Sequence, residues 1–407
     1  MNNLKKPNLL VLGAAGGVSN AFLHQVLHHR TLFGKLVLLD PKKTVIHDPY
    51  LDHKTLNYIF LQKRVAVSKK EKEYMNILKK YNIDIVLDLT DAPSIPLLEA
   101  TDRQGVSYVN TAMNDNVQTV SNLIFDVYKR RKQLNGAPHI LCTGMNPGAV
   151  NMFVRYGIEK FGVPEAITHF EYDMSHIAEK WMPMMTWSIK EFLVETSKDP
   201  GGVMQGRGKV KFLYPNALEN RRDMKPIISP IMKLSKYPHG FIVLHEENVT
   251  VAQKYNIPSR FIYAVNMQTM ANLIHIYEKK NKVHMRDLIL GDNTNRVLDG
   301  ADNIGVLLEY KTKKVYYFNA ISNLAVVGTN ATYTQVAIGI WAALLTLIFD
   351  QLKSQVYFVE DLYETHYPYY LFDNLRVQEF VFKGKKLKRY NPWLKMKRHE
   401  KFRHVYI

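Results

Sequence analysis

Short apolar runs separated by helical segments occupy the first third of the chain. Five of these runs have the length and the uninterrupted apolar character of strands that are buried on both faces of a parallel sheet. They lie at residues 8–12, 35–39, 83–87, 106–109 and 140–142. Between the first two, residues 20–29 space their apolar side chains as a helix does. This alternation predicts a Rossmann-type, doubly wound α/β domain over residues 1–150.

The pattern changes over residues 151–324. Residues 166–172 alternate apolar and polar side chains like a strand, and residues 306–309 and 315–318 predict a hairpin. Residues 198–240 are rich in glycine, proline and charged residues, which predicts a long loop or strand–loop region. These segments indicate a second domain of the α+β class.

Two helical segments have features of their own. Residues 186–196 have helical spacing that places Trp187, Glu191 and Glu195 on one helix face. Residues 330–349 form a long apolar helix, which we expect to pack back on the first domain within a segment of about 325–360. Its continuous apolar stretch is shorter than a bilayer requires, so we expect a buried helix and no membrane contact.

Composition narrows the class of protein. The 407 residues are 46% hydrophobic and 22% charged, which is ordinary for a soluble globular protein. The single cysteine, Cys142, excludes an internal disulfide and a cysteine-based zinc site. We therefore expect a cytoplasmic protein without a metal site.

The charge is strongly positive and unevenly placed. The net charge is +17, and residues 381–407 contain ten lysines and arginines against Glu400 as the one acid. Such a basic C-terminal tail is typical of a solvated terminus. Aromatic residues interleave with its cations, so binding of nucleic acid stays open as an alternative.

A glycine-rich turn follows the first strand at residues 13–19. Glycines there let the backbone approach a pyrophosphate, and the next helix offers unpaired N–H groups to that anion. Asp40 ends the second strand, where a carboxylate accepts hydrogen bonds from the ribose of NAD and repels the 2′-phosphate of NADP. The strict pattern is broken at Ala15 and Val18, so a glycine turn of another α/β unit stays an alternative. The expected cofactor is NAD, and its expected ligands in this region are Gly13, Gly16, Gly17, Val18 and Asp40.

Polar residues follow three later strands of the same domain. Cofactors of doubly wound sheets bind at the C-terminal ends of the strands, so these residues are expected to line the cofactor site. They are Thr90 and Asp91, then Thr111, and finally Asn146 and Pro147 in the turn at residues 143–148. Thr90, Asp91 and Thr111 are expected on the nicotinamide side.

Six short segments in the rest of the chain form an ordered set of motifs. They are G-M-N-P-G at 144–148, E-Y-D at 171–173, T-W-S-I-K-E-F-L-V-E at 186–195, H-E-E-N at 245–248, G-A-D-N-I-G-V-L-L at 300–308 and N-A-T-Y-T-Q-V at 330–336. In this order they resemble motifs of the bacterial-type homospermidine synthases, members of the saccharopine-dehydrogenase-like superfamily. The chain departs from that pattern at Glu191, where the family usually has glycine, and at Asn303, where it usually has glutamate.

The resemblance implies an enzyme of polyamine synthesis. Such enzymes join two putrescine units, or use spermidine as a donor, and they use bound NAD as a hydride shuttle. The resemblance also implies a homodimer in which residues 151–324 form the catalytic and dimerisation domain. The roles it assigns are catalytic for Trp187, Glu195, His245 and Glu247, and substrate-binding for Asn146, Glu171 and Asp302.

A diamine is a dication and needs carboxylates at both ends of an apolar slot. The carboxylates that we expect to converge on one pocket beside the nicotinamide ring are Glu171, Glu195, Glu247 and Asp302. Clustered acids raise one another's pKa, which suits a carboxylate or His245 as the base that deprotonates the reacting amine. Trp187 can stack over a cationic iminium. Since four like charges repel, Glu195→Gln and Glu247→Gln are expected to impair turnover while stability stays unchanged or improves.

Two other functions stay open from the sequence. One is an NAD(P)H-dependent reductase that makes a carboxynorspermidine-type or saccharopine-type product, whose carboxylates would require arginine or lysine in the slot. The other is a Rossmann protein without catalysis that binds nucleic acid through residues 381–407. The acids at the motif positions favour plain diamines.

Overall fold

The computed structural model describes residues 6–42, 53–65, 67–115, 117–294, 296–384 and 386–390. The helices among them are α1 Gly17–His29, α2 His53–Leu56, α3 Val67–Tyr81, α4 Ser94–Asp102, α5 Val120–Arg130, α6 Ala149–Phe161, α7 Ile189–Leu193, α8 Lys225–Ile228, α9 Glu246–Tyr255, α10 Met267–Lys280, α11 Ala331–Phe349 and α12 Tyr367–Leu375. The strands are β1 Leu9–Leu12, β2 Leu36–Asp40, β3 Tyr58–Gln62, β4 Ile85–Asp88, β5 Ser107–Asn110, β6 His139–Leu141, β7 Ala166–Asp173, β8 His176–Ile177, β9 Met184–Met185, β10 Gly201–Gly206, β11 Lys209–Leu213, β12 Arg221–Asp223, β13 His239–Val243, β14 Ser259–Val265, β15 Ile289–Leu290, β16 Leu298–Asp299, β17 Ala301–Tyr310, β18 Lys313–Ser322, β19 Val356–Phe358, β20 Gln378–Lys383 and β21 Lys386–Tyr390.

These elements form two compact units. The first contains the chain up to Ala149 together with Val336–Asn374. The second contains Val150–Gln335 and the described chain from Leu375 onward.

Seven parallel strands form the sheet of the first unit. Their order is β19–β6–β5–β4–β1–β2–β3. Every residue of the central strand β1 is buried, as expected for a strand that is covered on both faces. The order β3–β2–β1–β4–β5–β6 is that of a doubly wound Rossmann sheet, which confirms the predicted fold class.

Helix α11 packs within the first unit through its C-terminal part. The buried Trp341 ring lies 6.1 Å from Phe22 of α1 and 6.0 Å from Phe33, measured between ring centroids. This contact confirms the predicted return of a C-terminal helix to the Rossmann domain. By length and composition alone α11 could also cross a membrane, but 67% of its most apolar part is buried inside the protein, as in a core helix.

A mixed sheet of ten strands organises the second unit. The strand order is β11–β10–β14–β7–β17–β18–β20–β21, and β13 and β12 join it beside β14. Strands β7 and β14 are parallel, and the other strand pairs described in this sheet are antiparallel. The predicted hairpin is present as β17 and β18, so this unit has the expected α+β character.

The helix predicted over residues 186–196 is much shorter in the structure. Its α-helical part is α7, and a π-helical turn follows over Val194–Lys198. The Ser188 side chain accepts a hydrogen bond from the Glu191 backbone N–H, so the helix begins only after Trp187. The predicted helical stripe of Trp187, Glu191 and Glu195 is therefore wrong, because Trp187 precedes the helix and Glu195 lies in the wider turn.

The region predicted as loop or strand–loop, residues 198–240, contains three strands and a short helix, namely β10, β11, β12 and α8. Strands β11 and β12 have few buried residues, so their sequences lack the apolar alternation of core strands.

The predicted basic tail at residues 381–407 also differs from its prediction, because part of it forms strands. Residues 381–383 and 386–390 belong to β20 and β21, while residues 391–407 lie outside the described residues.

Cys142 follows β6 directly and has an unusual backbone conformation. Its φ angle is +59°, and the residue is 3% exposed. The Asn110 side-chain oxygen accepts a hydrogen bond from the Cys142 backbone N–H at 2.9 Å. This bond holds the chain in position where it leaves the sheet for the turn at residues 143–148.

Candidate active site

The turn after β1 has the geometry of a phosphate-binding loop. Gly13 has a φ of +77°, and a Cβ atom at this position would lie 2.6 Å from the Leu89 carbonyl oxygen. Gly16 is the N-cap residue of α1 and makes no side-chain hydrogen bond to the first N–H groups of the helix. These N–H groups are therefore suited to an anion such as the pyrophosphate of a dinucleotide. Gly17 and Val18 form the first turn of α1 itself.

Asp40 supports this turn from the end of β2. Its carboxylate accepts hydrogen bonds from the Ala15 N–H at 3.0 Å and from the Lys42 N–H at 2.8 Å. The side chain thus lies beside the glycine turn, where the sequence predicts contact with the ribose of a cofactor.

The remaining candidate cofactor ligands lie at the C-terminal ends of neighbouring strands. Thr90 follows β4, and its hydroxyl donates to the Asp88 carboxylate at 2.7 Å. Thr111 follows β5, and the exposed Asp91 follows Thr90. Asn146 and Pro147 follow β6 and are joined by a cis peptide bond. All five therefore belong to the first unit and to the strand ends at which such sheets bind nucleotides.

The second unit carries a row of buried polar residues on one face of its central strands. In β7 every second side chain shares a face, which places His169, Glu171 and Asp173 together. Strand pairing sets Asp302 of β17 opposite Asp173, and Tyr263 of β14 beside Glu171. All five residues are buried. So many buried polar groups on one sheet face are unusual and mark a candidate active site.

Three carboxylates surround His245 at the start of α9 and form a first cluster with it. Its Nδ1 lies 2.5 Å from Glu247 Oε2 and 3.1 Å from Glu246 Oε2. Its Nε2 lies 3.6 Å from Glu195 Oε1. The structure therefore brings together three of the predicted catalytic residues, His245, Glu247 and Glu195.

This cluster behaves as an ion pair. Burial alone would lower the pKa of His245, but Glu247, Glu246 and Glu195 raise it well above its ordinary value. Burial alone would raise the pKa of Glu247, but His245 lowers it. The expectation that clustered acids raise one another's pKa is thus wrong for Glu247, because the imidazolium of His245 supplies a cation between them.

A second histidine beside this cluster was not predicted from the sequence. His169 is 0% exposed, and neither of its ring nitrogens has a hydrogen-bond partner within the described residues. Burial lowers its pKa to about 4, with Glu247 opposing and His245 assisting that shift. His169 is therefore neutral at pH 7. The alternation of β7 was the signal for it, since His169 lies two residues before Glu171.

Glu171 and Asp302 belong to a second cluster with Tyr263. Burial raises the pKa of the Tyr263 hydroxyl well above its ordinary value, and Glu171, Asp173 and Asp302 raise it further. Burial also raises the pKa of Asp302 well above its ordinary value, followed by the charge of Asp173. For Asp302 the predicted effect of neighbouring acids is therefore confirmed.

Trp187 joins this second cluster from the loop before α7. Its indole N–H donates to the Tyr263 hydroxyl at 2.8 Å, and its ring packs edge-on against Phe192. Trp187 is half-buried, so one part of the ring lies in the core and another part is accessible. The predicted position of the four carboxylates beside the nicotinamide stays a prediction.

Comparison with known proteins finds one family match, within the first unit. Residues 9–137 match the family described as the saccharopine dehydrogenase NADP binding domain. No protein in the curated set matches the chain. This match agrees with the superfamily that the motifs predict. The assignment to homospermidine synthases rests on the motifs.

Two solved structures are similar to the chain at low identity. An amine dehydrogenase from Mycobacterium smegmatis is 11% identical, with a TM-score of 0.39, and the match covers 88% of this chain and 97% of that one. The WlbA (WbpB) dehydrogenase from Thermus thermophilus, solved with NAD and α-ketoglutarate, is 9% identical, with a TM-score of 0.35 and coverage of 86% and 96%. Residues 9–137 are therefore similar to the NADP binding domain of saccharopine dehydrogenases, which is a dinucleotide-binding domain.

Proposed function

We propose that this chain is a homospermidine synthase-like enzyme that oxidises the amine-bearing carbon of putrescine, exchanges the amine and reduces the new imine. Bound NAD would accept the hydride from the substrate and return it to the new imine. The observation that carries the proposal is the row of buried acids on one sheet face. Within the described chain no histidine, lysine or arginine pairs with Asp173 or Asp302, so this face suits a cationic amine.

The residues present can perform the remaining tasks. The carboxyl oxygens of Glu171 and Asp302 can accept hydrogen bonds from ammonium groups, and the Trp187 ring can stabilise a cationic iminium at about 0.5–2 kcal/mol. Protonated His245, held by Glu247, can donate a proton to a leaving amine and take a proton back, which amine exchange requires. A substrate with carboxylates would meet repulsion at these positions, which disfavours the reductase alternative.

The direct test is incubation of the purified protein with putrescine and a small amount of NAD⁺, followed by mass analysis of the polyamines. We expect homospermidine, more product than cofactor supplied, and little net NADH. With putrescine deuterated at its amine-bearing carbons, the transferred deuterium should return to the product. Product formation only from a carboxylated amine and NAD(P)H would support the reductase instead.

The choice of cofactor gives a separate prediction. We expect the protein to prefer NADH over NADPH, and Asp40→Ala to weaken NADH binding about tenfold while relaxing that preference, because a charged acceptor is lost. Fluorescence titration with both nucleotides measures this. Lys42→Ala is the matched control and should leave the preference nearly unchanged. Equal affinity of the unaltered protein for both cofactors would contradict the role of Asp40.

Trp187 provides a second prediction. Trp187→Phe keeps a weaker π face and should retain part of the turnover, whereas Trp187→Ala should lose about tenfold or more. Steady-state rates with putrescine and thermal unfolding curves separate the chemical effect from a folding effect. Trp181→Ala, at an exposed position, is the control. If all these variants turn over equally, Trp187 lies outside the site.

A further inference from the structure

Two buried aspartates face each other in the central sheet of the second unit. Asp173 ends β7, and the antiparallel register of β17 places Asp302 directly opposite it. Asp173 is 3% exposed and Asp302 is 1% exposed. No histidine, lysine or arginine pairs with either carboxyl group among the residues that the structure describes. Two ionised carboxylates in this arrangement would repel each other strongly, so a proton between them is favoured.

Two threonine hydroxyls connect the aspartates. Thr186 Oγ1 lies 2.6 Å from Asp173 Oδ2. Thr332 Oγ1 lies 3.1 Å from Thr186 Oγ1 and 2.8 Å from Asp302 Oδ2. The four side chains thus form one continuous chain of three oxygen–oxygen contacts, which we name the Asp–Thr–Thr–Asp chain.

The number of protons in the Asp–Thr–Thr–Asp chain depends on whether one or both aspartates are ionised. Each threonine hydroxyl carries one proton. If both aspartates are ionised, Thr186 donates to Asp173 and Thr332 donates to Asp302, and no proton lies between the two threonine oxygens. If Asp302 carries one proton on Oδ2, it donates to Thr332, Thr332 donates to Thr186, and Thr186 donates to Asp173. All three contacts are then hydrogen bonds.

We propose that Asp173 and Asp302 share one proton through Thr186 and Thr332, and that the Asp–Thr–Thr–Asp chain is a proton relay for amine chemistry at the same sheet face. The shared proton follows from the geometry alone, while the relay role rests on the proposed function. In the relay, an ammonium group gives a proton to Asp302 Oδ1. The Oδ2 proton of Asp302 then passes to Thr332, the Thr332 proton passes to Thr186, and the Thr186 proton passes to Asp173. The amine is left neutral, and the reverse sequence returns the proton.

One oxygen is available for the first step. Asp302 Oδ1 is buried and has no hydrogen-bond partner within the described residues. An unpaired carboxyl oxygen in the interior is costly unless a ligand or a proton uses it. The threonines and Asp173 are positioning and relay groups in this scheme.

The surroundings favour Asp302 as the protonated partner. Burial raises the pKa of Asp173, but hydrogen bonds from Ser175 and Thr186 oppose that shift. For Asp302 burial and the charge of Asp173 raise the pKa well above its ordinary value, although the hydrogen bond from Thr332 opposes that shift. The other titratable groups on this sheet face are Glu171 from β7 and Tyr263 from β14, and Tyr172 is the sequence neighbour of Asp173; all three are acids. From α11 the neutral Gln335 side chain donates to the Asp302 carbonyl oxygen.

Infrared spectroscopy of the protein without added ligands tests the shared proton. The difference spectrum between the unaltered protein and Asp302→Asn at neutral pH should show the loss of one protonated carboxyl band. Asp223→Asn, a surface variant, should leave that band in place. Thr332→Val should shift or remove the band, and Thr332→Ser should restore it. An unchanged carboxyl region in Asp302→Asn would overturn the shared proton.

The pH dependence of activity tests the relay. We expect Thr332→Val to lower kcat for putrescine about a hundredfold and to shift the pH profile, with Thr332→Ser near the unaltered protein. An unchanged pH profile in Thr332→Val would overturn the relay role even if the band is lost. If the band is lost as expected but no amine is oxidised, the proposed function fails while the shared proton stands.

Discussion

Glu247→Gln is expected to remove most of the turnover with putrescine and to destabilise the fold on the order of 3 kcal/mol near pH 6. The reason is that His245 is protonated and buried, and its shortest contact is the 2.5 Å one to Glu247 Oε2. The sequence-based expectation of unchanged or improved stability assumed acids without a cation. His245 supplies that cation, so we now expect a loss.

The loss should depend on pH with a defined sign. The raised pKa of His245 makes its contribution complete below pH 6.5, and this contribution disappears as pH rises through the folded-state pKa. The lowered pKa of Glu247 makes its contribution complete above pH 4.5, and this contribution disappears as pH falls through its folded-state pKa. The stability difference between the unaltered protein and Glu247→Gln should therefore be largest between these two values and shrink at high pH.

Chemical unfolding at several pH values measures this difference. Glu195→Gln is the matched comparison, because its carboxylate lies farther away, at 3.6 Å from His245, and is partly exposed. It should lower turnover with a smaller effect on stability. A Glu247→Gln protein as stable as the unaltered one from pH 4.5 to pH 6.5 would show that His245 is not protonated.

Gly339→Ala should destabilise the first unit by about 3 kcal/mol. A Cβ atom at position 339 would lie 2.3 Å from the carbonyl oxygens of Thr143 and Gly144. Both are backbone atoms, so helix α11 or the turn must move. Helix propensity alone predicts the opposite, a gain of about 1 kcal/mol for alanine.

Unfolding by urea and titration with NADH measure this effect, and both stability and cofactor affinity should fall. Gly162→Ala is the control, because nothing lies within 4 Å of its Cβ position and only its positive φ is strained, at about 1–2 kcal/mol. A Gly339→Ala protein that is more stable than the unaltered one would rule out close packing of α11 on the turn.

Local sequence patterns predicted most of the first unit, because short segments of the sequence specify its strands and its glycine turn. The run at β1, the glycines after it and Asp40 at the end of β2 each follow from short segments. The edge strands β3 and β19 were missed, because β3 is only partly buried and β19 is short. Propensity and periodicity carry little information at such edges.

The candidate site of the second unit is formed by residues that are far apart in the sequence, so local patterns do not predict it. Glu171 and Asp302 were chosen by resemblance, but their neighbours were set by strand register between segments far apart in the chain. Thr332 was missed for this reason, whereas the alternation of β7 was a local signal for His169. The Trp187 stripe failed because the Ser188 cap delays the start of α7, a choice that helical spacing alone does not reveal.

The buried position of Cys142 gives the chain a natural reporter of local opening. Because the sequence contains no other cysteine, a thiol reagent can react with the native protein at this position alone. At 3% exposure the reaction must wait until the end of β6 opens, so its rate measures the free energy of that opening. The rate of thiol labelling can thus report on opening of the turn at residues 143–148 without any engineered probe.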